Sequence, residues 1–133
     1  MKRYVFMILL FSVIVTGCFG NAGSGELESV CSKVIDSQVL KETNTYTLYY
    51  KEGNINNVIL NKEYVGMDMT TSLTTYQKAY ENNDGISITL NDNGVTTKFD
   101  MSKVSDELMK TFNLKKTYND QIKTLENLGF TCE

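Results

Sequence analysis

Two stretches of the chain alternate apolar and polar positions with the period of a β-strand. In "TNTYTLYYK", residues 43–51, Tyr46, Leu48 and Tyr50 fall on one face and Thr45, Thr47 and Tyr49 on the other. Glu52-Gly53-Asn54 then supplies the left-handed backbone of a tight turn, and "INNVILNKEYV" returns with Val58, Leu60 and Tyr64 on one face and Ile59 on the other. The second pair is "GISITL" and "VTTKFDM". These place Ile86, Ile88 and Leu90, and then Val95, Thr97, Phe99 and Met101, in phase on either side of Asn91-Asp92-Asn93-Gly94. Each pair predicts an antiparallel hairpin.

Between and after the hairpins the period changes. In "TTSLTTYQKAYEN", residues 70–82, Leu73, Tyr76 and Tyr80 lie at i, i+3 and i+7, which predicts a helix opening at Thr70 or Thr71 and closed by Asn82-Asn83-Asp84-Gly85. Ser102 or Ser105 opens a second helix bearing Val104, Leu108 and Phe112. Thr117 and Asp120 stand at capping-box spacing before a third with Ile122, Leu125 and Leu128, and Gly129 suits its C-terminal stop. Residues 32–42, with Val34, Ile35, Val39 and Leu40, fit a short helix or an irregular lead-in, with strand favoured near Val39. The order predicts a two-layer α+β fold: an antiparallel sheet of about four strands in two hairpins, with about three helices packed on one face.

The first residues follow a different logic. Met1-Lys2-Arg3 is a short basic head, and "YVFMILLFSVIVT", residues 4–16, is uncharged and apolar but shorter than the ~20 residues a spanning helix needs. Val15-Thr16-Gly17-Cys18 follows. This tetrad resembles the lipobox of bacterial lipoproteins, and the resemblance implies cleavage before Cys18 and a diacylglycerol on its sulfur. Its two acyl chains would hold a protein on a bilayer where one is marginal. Residues 1–17 therefore read as a lipoprotein signal peptide, 18–30 as a flexible glycine-containing tether, and 31–133 as a single domain. The address is a cell membrane or envelope, with the domain on the extracytoplasmic side.

That address changes the reading of the cysteines and the charge. With Cys18 lipidated, Cys31 and Cys132 remain, and an even pair in an exported protein reads as a disulfide; two free thiols are the alternative. The whole chain carries a net charge of −3, and loss of Lys2 and Arg3 leaves eleven basic against sixteen acidic residues, a net −5. An acidic domain without a basic stripe excludes nucleic acid as the expected partner and offers no electrostatic grip on anionic headgroups.

The residues together resemble the YehR-like family of small bacterial lipoproteins, a domain of unknown function. The resemblance rests on the lipobox and "CSK", on "YTLYYKEGNINNVIL", on "GISITLNDNGVTTKFDMSKVSDELMKTF", and on the terminal "LENLGFTCE" with its paired Cys31 and Cys132. It implies an envelope lipoprotein with an α+β domain and brings no catalytic residues.

Candidate chemistry is sparse. The chain has no histidine, which removes the usual general base near neutral pH and the commonest metal ligand. Asn91-Asp92-Asn93-Gly94 lacks the glutamate an EF-hand loop needs, since Ser102 stands at the twelfth position. Asp106 and Glu107, with Asp100 nearby, are explained by a helix N-terminus. No enzyme, cofactor or metal site is expected. The tyrosines stand out: most lie in the inward phase, but Tyr49 is out of phase with Tyr46 and Tyr50 and shares a face with Thr45, Thr47 and Ile59. An amphipathic aromatic on an open sheet is a common interface residue. The expectation is a membrane-anchored, non-enzymatic module that binds another envelope protein through that face; the alternative is a small-ligand-binding accessory lipoprotein.

Overall fold

The structure, a computed structural model, describes residues 25–133. The hairpin sequences pair as their alternation requires. β2 (Lys41–Lys51) and β3 (Asn54–Val65) run antiparallel, with Tyr46 opposite Leu60 and Leu48 opposite Val58. β4 (Ile86–Asn91) and β5 (Gly94–Asp100) form the second hairpin, with Ile86 opposite Phe99 and Ile88 opposite Thr97. β5 joins β3, and this merges the hairpins into one sheet.

Two further strands extend it. β1 (Leu27–Asp36) pairs with β2 along its whole length, and β6 (Thr131–Cys132) pairs with β1, so the order is β4-β5-β3-β2-β1-β6, antiparallel throughout. About 45% of the described residues are strand and 25% helix. The expectation of a two-layer α+β fold with about four strands is therefore corrected: this is a six-stranded, mostly-sheet structure carrying three short helices. β1 escaped the pattern because its inward phase holds Ser29, Cys31 and Lys33 while Val30 and Val34 point outward, so apolar alternation does not reveal its face. β1 also begins inside the segment read as tether, at Leu27 rather than after residue 30. Ser37–Leu40, where strand was favoured, is the β1–β2 turn: the Ser37 amide and hydroxyl both donate to the Leu40 carbonyl.

The helices fall close to their predicted places. α1 (Thr70–Tyr80) starts after Met69, with the Thr70 amide donating to the Asp68 carboxylate rather than to a threonine cap. α2 (Asp106–Thr111) is capped by Ser105 and α3 (Tyr118–Asn127) by Thr117, whose hydroxyl donates to Asp120.

The core lies where these helices meet one face of the sheet. Leu48, Val58, Leu60 and Phe99 are fully covered from the strands, and Met109, Phe112, Leu114 and Leu125 close over them from the helical segments. Phe112 is the hub of a ring cluster, 4.9 Å from Phe99 and 5.0 Å from Tyr80 between centroids. Gln121 is completely buried and pins the α2–α3 connection, donating to the Asn113 carbonyl and accepting from the Lys115 amide. The Cys31–Cys132 disulfide is formed across β1 and β6 with the Cα atoms 4.0 Å apart. β6 is only two residues long, so the bridge and the reciprocal Val30–Glu133 backbone bonds hold the end of the chain to the sheet.

Candidate functional site

Because side chains alternate along each strand, burying one face exposes the other. The outward residues of β1, β2 and β3 fall in register as cross-strand rows. Val30, Thr47 and Ile59 form one row. Ser32, Thr45 and Asn61 form the next, and Glu28, Tyr49 and Asn57 lie on the other side. β5 continues the first two rows with Lys98 and Thr96. All four residues singled out for this face, Thr45, Thr47, Tyr49 and Ile59, are thus brought together, and each is half-buried by its neighbours.

The face has a defined anatomy. Its middle is uncharged, built of Val30, Ile59 and the hydroxyls of Thr43, Thr45, Thr47 and Thr96. A short relay fixes part of it: Asn91 donates to the Thr96 hydroxyl at 3.2 Å, and Thr96 donates to Asn61 at 2.7 Å. Charges of both signs stand around this middle: Lys98 flanks Ile59 on β5, and Glu28, Asp36, Lys41, Lys51, Glu63 and Asp100 lie towards the strand ends. Partial burial first, then the nearby carboxylates of Glu28 and Glu26, raise the Tyr49 phenol above its ordinary value, so it stays neutral.

The sequence left Val30, Asn61 and Thr96 out of this face. Val30 lay in the segment read as tether, while Asn61 and Thr96 carried no apolar signal.

The opposite face holds a second feature. Towards the β1–β2 turn the helices no longer cover the sheet, and a cleft of about 210 Å³ opens there, lined in part by Lys33, Ile35, Asn44, Lys62, Leu128 and Phe130. Lys33, Asn44 and Lys62 are one cross-strand row. The Lys33 ammonium donates to the Leu128 carbonyl at 2.7 Å and sits 5.9 Å from the centre of the Phe130 ring. A second, more polar hollow of about 470 Å³ lies by the β2–β3 turn, lined in part by Asn54, Asn56, Asn57, Asp100, Ser102 and Lys116. There the Ser102 amide and hydroxyl donate to the Asp100 carboxylate and hold its pKa below the ordinary value.

Cys18 lies outside the described residues. No protein-family model, curated protein or solved structure matches the chain.

Proposed function

We propose that this chain is a lipid-anchored bacterial envelope lipoprotein whose domain is a non-enzymatic module binding another envelope protein on the open face of its sheet. One observation carries the reading: an uncharged middle of Val30, Thr47, Ile59 and Thr45, with Tyr49 beside it and charges of both signs around it. Depletion of charge at the centre and a polar rim are the usual composition of a protein–protein interface. A nucleic acid or an anionic bilayer would call for a single-signed basic surface, which this face lacks.

The lipid anchor rests on the lipobox resemblance at Val15-Thr16-Gly17-Cys18. Among the described residues no helix is long and apolar enough to cross a membrane. Substituting Cys18→Ala in cells is expected to move the protein out of the membrane fraction.

Site-specific photocrosslinking in the native host tests the surface. A photoreactive residue at Tyr49 or Ile59 is expected to give one discrete adduct, and the same residue at the exposed Lys123 on α3 none. Equal labelling from all three positions would remove the sheet face from consideration.

A further inference from the structure

The cleft beside Phe130 has the makings of a small-molecule site on the other face, independent of the surface reading above. Nine residues line it; two are lysines and none is acidic, in a chain of net charge −3. Lys33 spends one donor on the Leu128 carbonyl, and an ammonium has three. Lys62, half-buried on the next strand but one, makes no hydrogen bond or ion pair among the described residues.

Between them sits Asn44, only 7% exposed. Its Nδ2 donates to Glu42 at 2.8 Å, and this fixes the amide orientation. Its Oδ1 is then a buried acceptor with no partner among the described residues. Leaving such an atom unpaired is unfavourable by roughly 1–3 kcal/mol, so a donor that reached it would be held. The atom is itself covered, so that bond requires the cleft lining to shift.

The remaining wall is apolar. Phe130 closes one side, and Ile35 and Leu128, 45% and 41% exposed, flank the mouth. A cavity of ~150 Å³ accepts benzene, so the ~210 Å³ here admits a ring or a branched alkyl group with a small polar head.

We propose that this cleft binds a carboxylate carried next to an amide N–H and an apolar side group. The carboxylate lies between Lys33 and Lys62, the N–H reaches Asn44 Oδ1, and the side group packs on Phe130 and Leu128. An N-acyl amino acid has this chemistry, and so does the C-terminal residue of a peptide.

Equilibrium dialysis of the full chain in nanodiscs, with empty nanodiscs as the blank, tests it. The probes are N-acetyl-leucine, N-acetyl-leucinamide, and an acetylated tetrapeptide ending in a free leucine carboxylate. Saturable uptake of N-acetyl-leucine is expected, at least about tenfold weaker for the amide and about tenfold weaker in Lys62→Gln, with Lys62→Arg restoring most of it. Tighter binding of the tetrapeptide would name peptide ends as the source, and equal or weaker binding a free small molecule. No saturable uptake of either carboxylate up to about 10 mM overturns the proposal, as does uptake indifferent to amidation or to Lys62→Gln. Thermal unfolding of each variant at the wild-type temperature shows that the cleft, not the fold, was changed.

Discussion

The Tyr46 hydroxyl donates to the main-chain carbonyl of Phe112 at 3.0 Å, and this single bond ties the centre of the sheet to the end of α2. Tyr46 is 6% exposed, and burial, with Tyr76 adding a smaller contribution, pushes its phenol up to about 12. In the unfolded chain the same group titrates near its ordinary value of 10. Below pH 10 both states are protonated and the contribution is complete. Between 10 and 12 the unfolded chain releases a proton that the folded chain keeps, so stability falls as pH rises, by roughly 3 kcal/mol from this group over two units. Tyr46→Phe leaves the Phe112 carbonyl unpaired and is expected to be less stable by about 1–2 kcal/mol at pH 7. The deficit should close, then reverse, as the pH approaches 12. Urea unfolding of both proteins across that range checks the crossing.

Cys31 and Cys132 are separated by 101 residues, so their bond closes almost the entire domain. A loop of that length is worth about 4–5 kcal/mol in the chain-entropy model, comparable with the whole stability of many domains. Replacing both cysteines with alanine is expected to lower the urea midpoint by most of that amount. The amides of Val30 and Glu133, bonded to each other's carbonyls, should lose hydrogen-exchange protection first.

What could be read before the structure follows from where burial is one-sided. β2, β3, β4 and β5 have apolar inward phases, and each was legible. β1 was not: the inward Cys31 is buried by the disulfide, Ser29 by its bond to the Glu133 carbonyl, and Lys33 lies along the cleft, none of which alternation can express. The open face was legible in part because Tyr49 is one residue out of phase with Tyr46 and Tyr50, whose rings pack on Phe130 and Tyr118. The cleft row Lys33–Asn44–Lys62 was invisible, since it exists only once β1, β2 and β3 are set in register.

Two glycines at the hairpins should respond to alanine for different reasons. Gly94 is buried opposite Glu63 on β3, and a Cβ there would run into the Lys62 main-chain carbonyl, which cannot move without breaking the ladder. Gly53 has open space around it and a φ of +77°, so alanine there meets only the left-handed penalty of about 1–2 kcal/mol. Gly94→Ala is expected to be the more damaging by at least ~1 kcal/mol, because overpacking against fixed backbone adds 1–3 kcal/mol. Thermal melts of the two variants order them. A milder Gly94→Ala would mean that β3 and β5 can separate locally at little expense.

Gln121 offers the sharpest test of how the helical segment is held. Its side chain is 0% exposed and satisfies two main-chain groups, the Asn113 carbonyl at 2.9 Å and the Lys115 amide at 2.7 Å. Asn113 takes a φ of +55°, a conformation that needs outside support in a non-glycine residue. Gln121→Leu keeps the volume but leaves both groups unpaired in a site with no route to water, an expected loss of about 2–4 kcal/mol. Gln121→Glu keeps an acceptor for Lys115 when ionised but offers the Asn113 carbonyl no donor, so its deficit should shrink as falling pH protonates the carboxyl. Leu114 lies between the two bonded groups and is buried in the core, so loosening this loop should also loosen Phe112 and the ring cluster. Exchange of the Lys115 amide, rising in both variants at neutral pH and recovering in Gln121→Glu below pH 5, distinguishes a loop held by these two bonds from one held by packing alone.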